Sequence, residues 1–388
     1  RPYLAQAGGR GGGRRTTTLI GGHSVTSPEL SGGVPSRSSK QRTRGQGGTL
    51  SILWTSRETR TFGVELSTTG RIALPSGALP SCNCPMNEHW TTRQLLDLGI
   101  SPHELRSRVK NGSLLRLRRG HYAFTAEESP EAAHLRLMRA TVPDVASSSA
   151  FSHTSAAVLH GLPVPADVLD VVTMIRTTPG HGNGTTNLRV RNTALLAEHI
   201  TEVDGMLVTT LERTICDVAR LSPFEWGVAA ADAALRAGAD LAEMHRILSL
   251  HPRLQGAPVA SRVVAIADGR SESPAESLSR VQMMRWSIPE PVLQYEVVDA
   301  NGVIVAKTDF GWPELGLVGE VDGKAKYGHL LKPGETAEDA VMREKRREQR
   351  IRRQGLWPIR WGWKEIMDGR QLAALIRDGI RNALPRAS

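Results

Sequence analysis

Cysteine is nearly absent: the 388-residue chain has three, too few and too scattered for a disulfide framework. Cys82 and Cys84 form a C-N-C with no second pair to complete a zinc site. Cys216 stands alone in the apolar, helix-like segment ERTICDVARL, where a structural role is expected. An apolar run of about 18 residues is also missing, as is a signal-peptide core, so the sequence indicates neither a membrane span nor secretion. A reducing cytoplasm is the expected setting. Lysine is scarce, 8 against 41 arginines, which reflects genome base composition more than chemistry. His153, His160 and His181 lack any H-x-x-x-H or H-x-H pairing, and capping, turn or core roles are expected of them.

The net charge of +10 invites a nucleic-acid partner, but it is unevenly placed. Residues 1–85 hold 11 Arg/Lys against 3 Asp/Glu, whereas residues 86–388 hold 38 against 36. Any nucleic-acid contact in the patterned part must therefore come from local patches. Residues 1–85 are rich in Gly, Ser, Thr and Arg, as in GGRGGGRR, and cannot bury enough surface to offset chain entropy. A disordered basic leader is expected there. Met86 is the first methionine and directly precedes the first patterned segment, so it is the expected start, with 1–85 translated upstream sequence. A basic arm that binds nucleic acid is the alternative.

The segment His89–Phe124 has clear punctuation. Thr91 or Thr92 can cap a helix TRQLLDLG closed by Gly99, and Ser101-Pro102 opens a second helix closed by Asn111-Gly112. Leu105 and Val109 fall one turn apart and face inward, leaving His103, Arg106, Ser107 and Lys110 outward. LLRLRRGHYAF then alternates as a hairpin, with Arg116, Arg118, Arg119 and His121 near its turn. Helix, turn, helix and basic hairpin predict a winged helix-turn-helix over 86–126. Its second helix would enter the major groove and its hairpin would touch the backbone. Units of this kind also serve as protein-docking modules.

TTRQLLDLGISPHELRSRVKNGSLLRLRRGHYAF resembles the N-terminal domain of AbiEi-type antitoxins of type IV toxin–antitoxin systems. The likeness continues through SHTSAAVLHGLP (Ser152–Pro163) and GMLVTTLERTICDVA (Gly205–Ala219). It implies promoter-DNA binding by the winged helix and opposition to a nucleotidyltransferase-like toxin. The C-terminal part departs from that architecture, so the DNA-binding inference carries over better than toxin neutralisation.

Residues 130–268 are expected to form a mixed α/β middle region. VLDVVTMI and LRVRN are strand-like and flank the Gly-rich PGHGNG, read as a hairpin turn. GHGNG lacks the strand-to-helix context of a phosphate loop. Helices are expected from TLERTICDVARL and from Phe224–Leu250, with an internal salt bridge among Glu212, Arg213 and Asp217.

Thr308–Tyr327, TDFGWPELGLVGEVDGKAKY, concentrates carboxylates. If Leu317–Asp322 is a strand, Leu317, Gly319 and Val321 face one way, and Val318, Glu320 and Asp322 the other. Asp309 joins the second face if the two apolar runs pair across Gly311–Gly316. Converging carboxylates repel unless a cation sits among them, and oxygen-only ligands suit Mg²⁺ or Mn²⁺. Such a metal can activate water on a phosphodiester. A solvated acidic turn is the alternative.

Glu276 in SPAESLSR, then Asp309, GEVDGK, the basic stretch Arg343–Arg353 and LWPIRW resemble, in order, the PD-(D/E)XK nuclease superfamily. The likeness is to its branch related to very-short-patch-repair endonucleases and covers about Ser271–Ile366. It implies a restriction-endonuclease-like α/β/α domain over 271–388. Asp309, Glu320 and Asp322 would hold metal, Glu276 would complete or orient the site, and Lys324 would stabilise phosphorane charge. Asp322 occupies the place where the superfamily has its Lys, although Lys324 follows two residues on and Asp322-Gly-Lys324 can be read as the motif in a shifted frame; metal binding is expected ahead of efficient cutting. In EDAVMREKRREQRIRRQG the basic residues could hold phosphates or simply be solvated. Trp357, Trp361 and Trp363 are expected on one face, as core under the terminal helix.

The expected fold class is therefore α+β and multidomain. Two functions follow: an antitoxin-like, DNA-binding regulator carrying an endonuclease-like domain, or an active Mg²⁺-dependent DNA endonuclease targeted by its winged helix.

Overall fold

A computed structural model of the chain describes residues 50–51, 65–66, 89–125, 128–176, 184–322 and 336–383. The chain divides into two units, 1–83 and 84–388. In the first, strands β1 (Leu50–Ser51) and β2 (Glu65–Leu66) pair antiparallel.

The second unit is mixed α/β, with three sheets and twelve helices among its described residues. It begins with β3 (Trp90–Thr91), α1 (Thr92–Asp97), α2 (Pro102–Lys110), β4 (Leu114–Arg118) and β5 (His121–Phe124). Thr91 caps α1 by accepting from the Gln94 N–H, and Gln94 returns the bond to Thr91. Ser101 caps α2, with Pro102 in its first turn where a missing N–H is harmless. The chain leaves α2 through Gly112 at φ +78, a conformation a side chain would strain. The sheet order is β3-β5-β4, antiparallel throughout. Leu95, Ile100, Leu105, Leu114 and Tyr122 form the small core, with Trp90 edge-on to Phe124.

Next come α3 (Pro130–Thr141), β6 (Ser149–Phe151), α4 (His153–Leu159), β7 (Val172–Arg176), β8 (Gly184–Thr185), β9 (Leu188–Arg191), β10 (Ile200–Val203) and β11 (Met206–Thr209). They build a mixed sheet of order β10-β11-β6-β7-β9-β8. β7 and β9 run parallel, so the expected hairpin between them is corrected: a parallel pair needs a crossover, which local sequence does not reveal. β8 supplies the antiparallel partner of β9, and His181 and most of GHGNG lie outside the described residues. Helices α5 (Leu211–Leu221), α6 (Phe224–Arg236), α7 (Leu241–Leu250) and α8 (Ala257–Ile266) pack around Ile215, Cys216, Val228, Met244 and Val263.

The last part runs α9 (Pro274–Arg285), β12 (Val292–Val298), β13 (Ile304–Trp312), β14 (Leu317–Val321), α10 (Ala337–Arg353), β15 (Trp357–Trp361), α11 (Trp363–Met367) and α12 (Gly369–Ala383). Its sheet has the sequential order β12-β13-β14-β15, antiparallel for the first two pairs and parallel for the last. Both faces of β14 are buried. Leu317 and Val321 pack on the side of α9 and α12 with Phe310 and Ile376, while Val318 packs with Ile351 of α10. Gly319 is fixed by packing, because a Cβ there would meet the Trp361 ring at 2.5 Å. Trp361 is buried and donates to the Ser279 hydroxyl, as a core residue should. Trp357 and Trp363 correct the expectation of a shared core face. Both are more than a third exposed: Trp357 under the Arg352 guanidinium, and Trp363 on α11 rather than on the strand, stacked beside Trp226. α9 is joined to α6 by the buried Asp232–Arg280 ion pair.

Candidate nucleic-acid interface and carboxylate cluster

Charge singles out the first module. Residues 89–125 carry seven Arg/Lys against two Asp/Glu, so the remainder of 86–388 is net acidic. On α2, Leu105 is buried, and His103, Arg106, Ser107 and Lys110 are exposed on one face. Arg108 is tied to Glu104 one turn back, whereas Arg106, Lys110, Arg116 and Arg119 have no ion-pair partner among the described residues. Arg118 differs: it turns inward beside Asp144, with its side chain 12% exposed. Asp144 follows α3, far from the hairpin in sequence, so alternation alone could not foretell this pairing. His121 is buried against the same carboxylate at 3.5 Å.

Of the four candidate carboxylates of the C-terminal part, Asp309, Glu320 and Asp322 lie on or beside the sheet and Glu276 lies on α9. Phe310 pairs with Gly319, so the next step of the register sets Asp309 beside Glu320 on the face toward α10. There Asp309 accepts the Val321 N–H at 2.8 Å. Glu276 is buried in the first turn of α9. One of its oxygens accepts from the Ser273 hydroxyl; the other accepts from the Glu272 N–H and from Gln294 Nε2. Its visible work is to hold the start of α9 and the side chain of Gln294. Gln294 lies inside β12 with φ +52, an unusual backbone for a non-glycine residue. Asp322 follows β14, and its N–H donates to the Trp361 carbonyl. Lys324 lies outside the described residues.

Glu320 has both oxygens held by arginines. Arg347 of α10 takes its Oε1, and Arg360 of β15 takes its Oε2 at 3.1 Å. Both arginines also bind Oε1 of Glu344, and Arg347 donates to the Lys307 carbonyl at 2.7 Å. Burial opposes ionisation of Glu344, but Arg360 and Arg347 overcome it and hold its carboxyl below the usual carboxylate range. Sequence reading missed both arginines as Glu320 partners, because they stand 27 and 40 residues away.

Among the described residues, no group of three or more His, Cys, Asp or Glu is arranged to hold a metal ion. The donor set explains this. A Mg²⁺-sized ion needs several free oxygens at about 2.1 Å, and here two guanidinium groups take both Glu320 oxygens and a backbone N–H takes one Asp309 oxygen. As placed, Glu320 offers a divalent ion no open oxygen.

A second network lies in the middle region. Asp217 on α5 accepts from Arg213 Nε and Arg220 Nη1, both at 2.8 Å, with the Arg213 and Asp217 side chains 1% exposed. His153 sits beside it, and burial pushes its imidazole down to about 4. Burial likewise raises the Cys216 thiol far above its ordinary range, so it stays protonated and unreactive. His160 donates from Nε2 to the Thr209 carbonyl at 2.7 Å, which ties the end of α4 to β11.

A family model described as "Transcriptional regulator, AbiEi antitoxin" matches residues 91–125, which span α1, α2 and the β4–β5 hairpin. Two Mycobacterium tuberculosis proteins, both named as uncharacterized, are 28% identical over 277 residues: Rv2248 of strain H37Rv and MT2308 of strain CDC 1551. The match covers 66% of this chain and 93% of each of them. Among solved structures, the crystal structure of the Mycobacterium tuberculosis protein RV2827C aligns with 54% of this chain and 83% of its own. The identity is 16% and the TM-score 0.32, too low to carry an argument. No helix among the described residues is long and apolar enough to cross a membrane.

Proposed function

We propose that the chain is a DNA-binding regulator of the antitoxin kind, with a winged helix-turn-helix at 89–125 and a nuclease-like C-terminal part. The observation that carries this reading is the concentration of exposed cations on α2 and the hairpin, without ion-pair partners among the described residues. They stand in the segment that matches a transcriptional-regulator family. His103, Arg106, Ser107 and Lys110 would face base edges and phosphates in the major groove, with Arg116 and Arg119 on the adjoining backbone. Arg118 is left out of this set because Asp144 holds it. The family description is of an antitoxin, so a toxin is the protein partner we propose; a nucleotidyltransferase-like toxin rests on the sequence resemblance alone.

A second reading, a Mg²⁺-dependent endonuclease, is favoured by one observation. The order α9-β12-β13-β14-α10-β15 is the order the PD-(D/E)XK resemblance implies, and the register brings Asp309 and Glu320 side by side. Against it stand the arginines on Glu320.

One experiment separates the two. Residues 86–388 and an Asp309→Ala/Glu320→Ala variant are incubated with upstream DNA of their own gene and with plasmid, in Mg²⁺ or Mn²⁺. The regulator reading expects retarded DNA and intact plasmid from both proteins. Metal-dependent cutting that disappears in the variant would replace it with the nuclease.

A further inference from the structure

We infer that the guanidinium groups of Arg347 and Arg360 stand in the place of a divalent cation at Glu320, so that the C-terminal carboxylates form a metal-free, arginine-closed site. The inference rests on the nuclease-like topology proposed above and is independent of DNA binding.

In a carboxylate metal site on a sheet, the acidic residue of the central strand offers the ion at least one unblocked oxygen. Each Glu320 oxygen instead accepts a charged N–H from a different arginine, one on the helix above the sheet and one on the neighbouring strand. The parallel register aligns Glu320 directly with Arg360, so this contact belongs to the strand pairing. Arg347 is fixed from a third side by the Lys307 carbonyl of β13 and is only 22% exposed. Glu344 also binds both arginines, so neither can leave Glu320 without uncovering a second carboxylate. Two acids and two bases thus form a closed, neutral ring. A divalent ion entering it would face two fixed positive charges at contact distance, where repulsion is strong in a partly desolvated site.

A guanidinium is suited to this substitution. It is planar, permanently charged and weakly hydrated, and its forked donors match carboxylate geometry. It offsets the same carboxylate repulsion that a metal would. It cannot polarise a phosphodiester as an inner-sphere ion does or lower the pKa of a bound water, so the site would keep its shape without its chemistry. The departure at Asp322, where the superfamily pattern has a lysine, is consistent with this, because α10 and β15 supply positive charge at Glu320.

The consequence is that removing the arginines opens a metal site. The test measures Mn²⁺ binding to the full chain by the electron paramagnetic resonance of free Mn²⁺. Wild type, Arg360→Gln and Arg347→Gln/Arg360→Gln are compared, and circular dichroism reports folding. Wild type is expected to bind no Mn²⁺ below millimolar concentration. The double variant is expected to gain one site at least tenfold tighter, and adding Asp309→Asn should abolish it. Arg360→Gln, at the more exposed arginine, is expected to give a smaller gain and serves if the double variant does not fold. A wild-type Mn²⁺ site that Glu320→Gln removes would overturn the inference, and so would folded arginine variants that gain no site.

Discussion

Two arrangements in this molecule share one stoichiometry, a carboxylate gripped by two arginines, and differ in nearly everything else. Asp217 is bound by Arg213 and Arg220 of its own helix, and the three side chains are 1%, 1% and 8% exposed. Glu320 is bound by arginines from α10 and β15, and its three side chains are 15%, 22% and 38% exposed. The first is local in sequence and sealed. The second is assembled from distant segments and open to water on one side. Burial decides what each can do. A sealed pair is costly to break because the surviving charges have no solvent to turn to. An open one is worth little to stability. The arginines on Asp217 also reach the Ala194 and Gln255 carbonyls and so hold α5 in place, whereas the Glu320 network is the one we infer to close a site.

The severest test of this contrast is at Asp217. Asp217→Asn should cost about 3–5 kcal/mol of folding stability, since it leaves two arginines without their carboxylate in a dry environment. Urea unfolding of the variant measures this; a loss below about 1 kcal/mol would mean that water reaches the network and that the contrast is false. The next effect is pH dependence. Folded His153 stays neutral down to about 4, whereas the unfolded chain takes up its proton near the ordinary 6.5. The native state thus binds fewer protons in that window, and stability is full above 6.5 and falls as the pH drops from 6.5 to 4. Burial lowers His134, His199 and His251 in the same direction, so the slope is shared. Thermal melts at several pH values should show it, and His153→Asn should flatten part of it. The smallest effect is expected at Glu320, where Glu320→Gln should change stability by about 1 kcal/mol or less. A loss as large as that of Asp217→Asn would place the two networks in one class.

How much of this was legible in the sequence follows the range of the interactions. The α1–α2–hairpin module could be read because its caps, its closing glycine and its alternation lie within a few residues of one another: Thr91 with Gln94, Ser101 with Glu104, Gly112. The two faces of β14 could be read because period-two alternation needs only the strand itself. The parallel pairing of β7 with β9 was hidden, since strand direction is set by a crossover and not by the flanking residues. Arg118 reads as one more cation on the hairpin until Asp144 is brought beside it by α3. Trp363 reads as a continuing strand residue until Gly362 opens a helix. At the carboxylates, alternation shows which acids share a face but not which donors fill their oxygens. The acids lie on adjacent strands joined by a tight turn, whereas Arg347 and Arg360 come from beyond that hairpin.

The proposed function puts DNA affinity in residues 89–125 and not in the basic α10, where Arg346 and Arg350 are exposed as well. The most decisive measurement is the affinity of the full chain for duplex DNA as a function of salt, for wild type, Arg106→Ala/Lys110→Ala and Arg346→Ala/Arg350→Ala. The first pair should weaken binding more than about tenfold and lower the salt slope by about 2, because each side chain neutralises one phosphate. The second pair should leave both quantities within about twofold of wild type. Binding that survives removal of Arg106 and Lys110, or that disappears with Arg346 and Arg350, would contradict this assignment.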